Sequence, residues 1–266
     1  MITYNEEANI ERTLASLQWA PSIIVIDSGS SDRTLDILAA APTVNIRHRP
    51  FDSFADQCNF GLGLVKTEWV LSIDADYVVT PALAQEICAC FQGIEPIIFA
   101  GFAIPFRYCI AGKPLRGTLL PPRICLYRTV GAIYRNDGHG HRVDVLGKVG
   151  RLRHHILHDD RKPLDRWLAS QQRYLATESQ KLQATPLNQL SAADRLRLKT
   201  PLAPLAALLL CLCVNGGILD GWQGWAYAFQ RCYAEILLKL MLLEARAKSR
   251  DPDPKPSAQL RGLRSP

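Results

Sequence analysis

Short apolar runs that stop at polar residues alternate with helical patterns along the N-terminal part of the 266-residue chain. Residues 23–26 are wholly apolar and stop at Asp27, which is typical of a parallel strand buried on both faces. Residues 69–73 lead in the same way into Asp74 and Asp76. Because strands that alternate with helices form doubly wound sheets, we predict an α/β fold with a Rossmann-like, mostly parallel sheet flanked by helices.

The polar ends of the predicted strands indicate where such a fold would bind a ligand. They comprise residues 3–6, 27–30 and 74–76, although the strand that ends at Thr3 is preceded by few residues. Ligands of open α/β sheets bind beyond the carboxyl ends of the strands. We therefore expect all three segments to meet at one edge of the sheet and to form a site there.

Asp74 and Asp76 are the strongest candidates for metal ligands. Carboxylates two residues apart in an extended segment point to the same side and can hold one hard cation, leaving positions open for phosphate oxygens. The alternative is a chance pair on a loop, but the position directly after an apolar strand favours Mg²⁺ or Mn²⁺ binding. Asp27 could accept hydrogen bonds from a nucleoside or only cap the helix that follows, and the shared edge favours the nucleoside.

Composition excludes some classes of protein. The net charge of +6 is modest, and the chain has no dense basic patch with aromatic residues of the kind that binds nucleic acid. The eight cysteines form no CxxC pair and have no zinc-ligand spacing, so a reducing, cytoplasmic environment fits best.

Three separated blocks resemble glycosyltransferase family 2, most closely the branch that includes lipopolysaccharide core β-glucosyltransferases. The blocks are ITYNEEANI at 2–10, VIDSGSSDRT at 25–34 and SIDAD at 72–76. The resemblance implies a GT-A fold and an inverting transfer from a nucleotide diphosphate sugar, such as UDP-glucose, with a divalent metal. The QxxRW motif of processive synthases is absent from the sequence, so we expect transfer of a single sugar.

The resemblance also implies roles for particular residues. Asp74 and Asp76 would hold the ribose and the metal, and the residues that would contact the nucleotide or the donor are Thr3, Asn5, Glu6, Asp27 and Asn59. A late histidine, His158, would be a further metal ligand, and Arg161 or Lys162 could clamp the diphosphate. The alternative is that residues 158–162 only begin a polar helix.

An inverting transfer needs a base that deprotonates the acceptor hydroxyl. Asp137 is the first candidate, and His139 is the second because its ordinary pKa lies near neutrality. The alternative for Asp137 is a structural role in a turn, since Asp-Gly is a strong turn dipeptide.

The C-terminal part indicates contact with a membrane surface. Residues 202–214 are apolar but fewer than the roughly 20 residues that span a bilayer. In the helix predicted at 222–246, Arg231, Glu235 and Lys239 form one polar stripe, and the aromatic candidates for membrane anchors are Trp222, Trp225, Tyr227 and Tyr233. The alternative is a helix packed on the catalytic domain or on a second subunit.

We divide the chain into four segments: a catalytic domain for the nucleotide sugar, metal and acceptor at 1–160, a helical extension at 161–200, a membrane-associating region at 201–248 and a disordered tail at 249–266. The expected activity is transfer of one sugar to a lipid-linked glycan at the inner face of the cell membrane. The sequence leaves open the oligomeric state. The alternatives are a nucleotidyltransferase, disfavoured by the acidic Glu6 and Glu7 where a basic glycine-rich loop is expected, or an inactive nucleotide-sugar or lipid-surface binding protein.

Overall fold

The computed structural model describes residues 1–92, 97–137 and 140–250. Its N-terminal part alternates strands and helices: β1 (Ile2–Thr3), α1 (Ile10–Ala15), β2 (Ile23–Asp27), α2 (Thr34–Ala39), β3 (Val44–His48), α3 (Phe54–Gly63), β4 (Trp69–Leu71), β5 (Tyr77–Val79) and α4 (Pro81–Cys90). Strands follow: β6 (Gly101–Ile104), β7 (Phe106–Ile110), β8 (Lys113–Pro114), β9 (Arg123–Arg128), β10 (Ile133–Asp137), β11 (Gly140–Asp144), β12 (Val149–Arg151) and β13 (Ile156–His158).

The C-terminal part is helical, as predicted. It contains α5 (Leu164–Ala184), α6 (Ala192–Lys199), α7 (Ala203–Leu209), a π-helical turn (Leu210–Val214), a 3₁₀ helix (Gly217–Asp220) and α8 (Trp222–Arg250). Within the three described ranges, no helix is both long enough and apolar enough to cross a membrane. The tail was predicted to be disordered from Ser249, but Ser249 and Arg250 end α8, and the rest of it lies outside the described residues.

The strands confirm the predicted α/β class with sheets flanked by helices. β1, β2 and β3 are parallel, as expected for this part of the chain. Beyond them the pairing is mixed, because β9 runs antiparallel to both β4 and β6, while β12 is parallel to β6. A parallel bridge between Ile2 and Asp74 brings the segment after β4 alongside β1.

A third sheet places distant parts of the chain side by side. Its order is β5-β13-β7-β8, with β13 antiparallel to β5 and parallel to β7. His158 at the end of β13 is thereby opposite both Tyr77 and Tyr108. Because β13 runs antiparallel to β5, this register brings the segment that ends at Asp76 next to the one that follows β13.

Apolar residues of the strands and of α1, α2 and α4 form the main core. Members with no exposed surface include Ile10, Val25, Leu38, Leu83, Ile104 and Ile156. Helix α4 begins where the sequence favours it, because Pro81 occupies the first turn and the Thr80 hydroxyl accepts a hydrogen bond from the Leu83 N–H. Burial of these side chains therefore holds in place the strands that end at the polar segments.

The inward face of α8 is partly polar. Glu235 is only 9% exposed and pairs with Arg197 of α6 at 2.7 Å, and the Lys239 ammonium donates to the carbonyl of Arg197. Two members of the predicted polar stripe therefore hold α6 against α8. Tyr227, predicted as a membrane anchor, is instead buried, and its hydroxyl oxygen accepts a hydrogen bond from the Leu119 N–H.

Candidate active site

The strand ends predicted to meet do lie together at one edge. Thr3 pairs with Asp27 across β1 and β2, and Ile2 is bridged to Asp74. This arrangement follows from parallel pairing, because neighbouring strands that point the same way end at the same edge. The side chains of Thr3 and Asp27 are both buried there.

Asp76 and His158 are in direct contact at this edge. The His158 Nε2 lies 3.0 Å from Asp76 Oδ2, and the backbone N–H of Asp159 donates to the carbonyl of Asp76. Two aromatic rings pack on the imidazole, with centroid distances of 5.1 Å for Tyr77 and 4.8 Å for Tyr108. The ring of His158 is therefore fixed with one nitrogen directed at the carboxylate.

Opposite charges maintain this pair despite its burial. Burial alone would lower the pKa of His158, but the carboxylate of Asp76 raises it above its ordinary value. Burial would likewise raise the pKa of Asp76, but His158 and then Lys162 bring it below its ordinary value. Asp76 is thus held as an anion next to groups that can carry positive charge.

A second buried network joins Glu6 to the start of α5. The Lys162 ammonium lies 2.6 Å from Glu6 Oε1 and 3.6 Å from Asp160 Oδ1. The side-chain amide of Asn9 donates to both carboxylates. Burial and the negative charge of Asp76 raise the pKa of Glu6 to about 7, against the opposing effect of Lys162. Lys162 is therefore a cation in direct contact with the carboxylates of Glu6 and Asp160.

Arg161 has a different environment from Lys162. Its guanidinium donates to both oxygens of Asp159, at 3.0 Å from Nε to Oδ1 and 2.9 Å from Nη2 to Oδ2. Of the two basic residues that the sequence offered as a diphosphate clamp, Lys162 is the one that contacts the predicted site residues. Arg161 instead pairs with its neighbour in the sequence.

Asn5 and Asp27 shape the turn that follows β2. Asn5 adopts a left-handed backbone with φ of 54°, which Asn tolerates, and its side-chain oxygen accepts from the Ser31 N–H. Asp27 accepts from the N–H of Gly29 at 2.8 Å and from the hydroxyl of Ser30 at 2.6 Å. The carboxylate of Asp27 therefore holds the turn after β2 and does not cap α2, whose N-cap is Arg33. Its contact with a nucleoside stays a prediction.

Thr3 is unlike its neighbours. Across the ranges that the structure describes, its Oγ1 is one of two buried side-chain polar atoms without a hydrogen-bond partner. An unpaired buried hydroxyl costs free energy, which a ligand atom at this edge could recover.

Asn59 fastens α3 to the β10–β11 hairpin. Its Nδ2 donates to the carbonyl of Tyr134 at 3.0 Å, and its Oδ1 accepts from the N–H of the same residue at 2.8 Å. The structure thus gives the amide of Asn59 a backbone partner, whereas the sequence had suggested contact with a donor.

One of the two candidate bases lies at the end of the first strand of that hairpin. Asp137 is the last residue of β10, and its Oδ1 is 3.0 Å from the Lys181 ammonium of α5. His139 lies outside the described residues.

Two residues near Asp74 were missed as candidates. Arg123 donates to the Tyr77 hydroxyl at 3.2 Å, and its pKa is raised against burial by Tyr77 and Asp74. Burial lowers the pKa of His141, and the charge of Asp74 opposes that change. Only the clustering of histidines gave a signal for His141, and no sequence pattern marks Arg123.

The donor atoms fit a divalent cation only in part. Among the described residues, no group of three or more His, Cys, Asp or Glu is arranged to hold a metal. Asp76 and His158 supply one carboxylate and one imidazole that are already adjacent. Because hard cations take six or more ligands, phosphate oxygens and water would have to supply most of the coordination.

These features define an α/β protein with carboxylate, imidazole and ammonium groups at the carboxyl edge of its sheet, and comparison with known proteins defines the family. The model of the family described as "Glycosyl transferase family 2" matches residues 1–141, more than half of the chain. The chain belongs to glycosyltransferase family 2. This membership argues against the alternative of a nucleotidyltransferase.

Two curated relatives illustrate the similarity. The lipopolysaccharide core biosynthesis glycosyltransferase LpsC of Rhizobium meliloti is 30% identical over 153 residues, which cover 56% of this chain and 53% of LpsC. An uncharacterized glycosyltransferase of Rickettsia bellii is 36% identical over 88 residues, covering 33% of this chain and 30% of the relative. The chain therefore spans about half or less of the length of these relatives.

Solved structures with similar architecture have low identity. S. aureus TarS 1–349 in complex with UDP-GlcNAc has 15% identity and a TM-score of 0.49, covering 92% of this chain and 90% of TarS. The mannosyltransferase PcManGT from Pyrobaculum calidifontis, in complex with GDP-Man and Mn²⁺, has 16% identity and a TM-score of 0.47. The similarity covers 94% of this chain and 85% of PcManGT. At these values neither neighbour assigns a ligand to this chain.

Proposed function

We propose that this glycosyltransferase is inverting and metal-dependent, and that it moves one sugar from a nucleotide diphosphate sugar, such as a UDP-sugar, to a lipid-linked glycan such as a lipopolysaccharide core. The observation that carries the proposal is the contact of 3.0 Å between Asp76 and His158 at the edge where Asp74 also lies. The similarity to LpsC, a lipopolysaccharide core biosynthesis enzyme, supports the class of acceptor.

Asp76 and His158 are the residues that would hold the cation, with Asp74 placed for the ribose. A bound Mg²⁺ or Mn²⁺ would neutralise the charge that develops on the departing diphosphate. Lys162 adds a positive charge beside the same anions, and its contact with Glu6 fixes the ammonium at this edge.

Asp137 is the residue we propose as the base for the acceptor hydroxyl, and His139 remains the alternative. The ammonium of Lys181 lies 3.0 Å from the Asp137 carboxylate and orients it at the tip of the hairpin. Transfer of the hydroxyl proton to a carboxylate during attack on the anomeric carbon is general base catalysis.

We also propose that the protein binds the inner, cytoplasmic face of the cell membrane without spanning it. One face of α8 exposes an apolar stripe whose members are each at least 40% exposed: Trp222, Trp225, Phe229, Ile236, Leu240 and Leu243. Successive members are three, four or seven residues apart, so they share one side of the helix. Aromatic and aliphatic side chains of this kind suit the boundary between headgroups and acyl chains.

Release of nucleoside diphosphate from a panel of nucleotide sugars tests the proposal. The assay contains a lipopolysaccharide core acceptor and Mn²⁺, and a parallel reaction contains a chelator. We expect release that the chelator abolishes, and at least a hundredfold loss of turnover in Asp76→Ala and His158→Ala, since removal of a charged catalytic group costs roughly this much or more.

Asp36→Ala is the matched control, because Asp36 is an exposed carboxylate on α2. Circular dichroism melts establish that each variant is folded. Unchanged turnover in Asp76→Ala, or activity that is indifferent to the chelator, would contradict the role of the cation.

A further inference from the structure

A cavity of about 250 Å³ lies beside the active site, where the catalytic sheet meets the C-terminal helices. Its walls come from the β7–β8 hairpin, the segment after β13, the start of α5 and the middle of α8. Of the residues that the sequence offered for the nucleotide sugar, only the two candidate clamps of the diphosphate, Arg161 and Lys162, contribute to it.

The walls combine aromatic rings with polar side chains. Tyr108 and Trp167 supply the rings, and Asp160 and Gln230 supply a carboxylate and an amide. A pyranose has a C–H face that packs on an aromatic ring and hydroxyls that hydrogen-bond to carboxylates and amides. Ligand pockets for drug-sized molecules measure about 300–1,000 Å³, so a cavity of about 250 Å³, just below this range, suits a smaller ligand such as a single sugar residue.

The turn between β7 and β8 fixes one wall of the cavity. Ala111 and Gly112 both have left-handed backbones, with φ of 50° and 79°. A Cβ on Gly112 would collide with the guanidinium of Arg161, which packs directly over this glycine. Arg161 belongs to the segment after β13 and is held there by its ion pair with Asp159. Its contact with Gly112 therefore joins that segment to the hairpin at the cavity.

The cavity is one layer of side chains away from the predicted metal ligands. The Tyr108 ring, which lines it, contacts the His158 ring at a centroid distance of 4.8 Å. Lys162 also lines it, and the ammonium of this residue contacts Glu6 at 2.6 Å. A sugar bound here would therefore be close to a donor held at Asp76 and His158.

On its other side the cavity adjoins the apolar stripe of α8. Trp167 packs on Tyr233 with ring centroids 6.1 Å apart, and Tyr233 is 42% exposed. Gln230 directly follows Phe229 of the stripe. Leu164 in the cavity wall is 60% exposed, so the wall continues onto an apolar surface.

We propose that this cavity is an acceptor subsite, which binds an inner saccharide of a glycan whose reacting end lies toward Asp137 and whose lipid lies against the apolar stripe. This assignment rests on the proposed function and extends that function by naming the residues that recognise the acceptor. Trp167 stacks on the sugar and Gln230 hydrogen-bonds to a hydroxyl, while the donor stays at the strand ends.

Two measurements with the variants Trp167→Ala and Gln230→Ala test the subsite. The first is steady-state transfer to the deacylated inner-core oligosaccharide of lipopolysaccharide, a soluble probe that makes the result independent of membrane binding. We expect the acceptor KM to rise about tenfold in each variant, as when one good contact is lost, with kcat and the donor KM within about twofold. Gln223→Ala, an α8 glutamine outside the cavity, is the matched control.

The second measurement is saturation-transfer NMR of the same oligosaccharide without any donor. We expect sugar-ring signals with the wild type that are lost with Trp167→Ala. If Trp167→Ala does not fold, Gln230→Ala gives the answer alone. An unchanged acceptor KM in folded variants, or equal NMR signals with wild type and variants, would overturn the subsite.

The NMR result also separates the two proposals. If no donor is turned over but the NMR signals depend on Trp167, the proposed function fails and the saccharide site stands. If transfer occurs but neither variant alters the acceptor KM, the function stands and the saccharide site is wrong.

Discussion

Asp76 and His158 are 82 residues apart in the sequence, and they meet only because β5 and β13 are neighbouring antiparallel strands. The spacing of Asp74 and Asp76 predicted a shared site on the assumption of an extended segment, whereas residues 75 and 76 form a turn. The approach of His158 depends on strand register, which no local pattern determines. The sequence could therefore suggest His158 as a partner but could not position it.

Two polar residues were hard to interpret because the sequence does not show which partner a side chain uses. Asn59 looked like a donor contact, but its amide is used by the backbone of Tyr134, 75 residues away. Asp27 offered two roles, and its hydrogen bonds to Gly29 and Ser30 are those of a local turn. Hydrogen-bond capacity is visible in a sequence, whereas the partner that uses it is not.

The identity of the base is testable one residue at a time. Asp137→Asn keeps the shape of the side chain and removes its basicity, so we expect kcat to fall by about 10²–10⁴. The measurement is the pH dependence of kcat, and Asp144→Asn, on the neighbouring strand β11, is the control. Near-normal kcat in Asp137→Asn, with loss of activity in His139→Gln, would assign the base to His139 instead.

Glu86 provides a prediction on stability and pH. Its carboxylate accepts from the N–H groups of Arg153 and His154, just before the strand that carries His158. Burial would raise the pKa of Glu86, but these hydrogen bonds bring it below its ordinary value. Because the pKa of Glu86 is lower in the folded state than in the unfolded state, the ionised carboxylate stabilises the fold. This stabilisation is fully present above the unfolded-state pKa and is lost as the pH falls through the folded-state pKa.

Glu86→Gln is therefore expected to reduce the free energy of unfolding by about 1 kcal/mol at pH 7, a modest value because the side chain is partly exposed. The difference from wild type should shrink in acid, where the wild-type carboxylate is protonated as well. Urea unfolding at pH 7 and at pH 3 measures it, with the exposed Glu11→Gln as the control. An equal deficit at both pH values would show that the charge of Glu86 is not responsible.

At the scale of elements, helix α8 shows what amphipathic periodicity can and cannot predict. The polar stripe at Glu235 and Lys239 was apparent in the sequence, but a polar stripe ordinarily indicates the solvent-facing side. Here it faces α6, because Arg197 and two carbonyls of α6 complete its hydrogen bonds. Periodicity defined the two faces of α8, and only the packing of α6 showed which of them is inside.

The contact between α6 and α8 should depend on the pair of Arg197 and Glu235. Glu235→Leu would leave the guanidinium without its carboxylate in a largely buried position, at a cost of about 3 kcal/mol in the free energy of unfolding. Replacing both residues, as Glu235→Leu with Arg197→Met, should recover most of this loss because no buried charge remains. Urea denaturation of the single and double variants measures both values.

An exposed pair on the same helix serves as the comparison. Glu244 and Lys248 have side chains that are 65% and 76% exposed, so Glu244→Gln should leave the free energy of unfolding nearly unchanged. Equal costs for Glu235→Leu and Glu244→Gln would mean that burial does not strengthen the inner pair. A double variant no more stable than Glu235→Leu would mean that packing, rather than the charge, was lost.

At the scale of the whole molecule, the same sheet edge organises the nucleotide site and the acceptor cavity. Parallel pairing of β1 to β3 made the convergence of the strand ends predictable. The cavity was not predictable, because Tyr108, Lys162, Trp167 and Gln230 come from four segments that no motif connects. A single sequence can therefore locate a site built on consecutive strands, but not one built where domains of different type meet.

The apolar stripe of α8 lies on the opposite side of the helix from the buried Ala234, Leu238 and Leu242. α7 and the turns after it, which pack near α8, add exposed apolar residues: Leu202, Leu205, Leu209, Val214, Ile218 and Leu219. A soluble protein seldom leaves so much apolar surface in contact with water unless a partner covers it. We favour a lipid bilayer as this partner because the stripe begins with two tryptophans and adjoins the acceptor cavity.

Replacing Phe229, Ile236 and Leu240 by Ser should weaken binding to vesicles of phosphatidylethanolamine and phosphatidylglycerol by about a hundredfold. Full burial of one such side chain contributes about 1.5–3 kcal/mol, and these three are already about half-buried, so roughly 3 kcal/mol is lost in total. The control replaces Ile98, Val130 and Leu146, which are equally apolar and 73–85% exposed outside this region. Cosedimentation measures binding, and light scattering measures the mass of the protein without lipid. If the stripe instead joined two copies of the chain, the Ser variant would change the mass and leave sedimentation with vesicles unaltered, and the membrane proposal would be wrong.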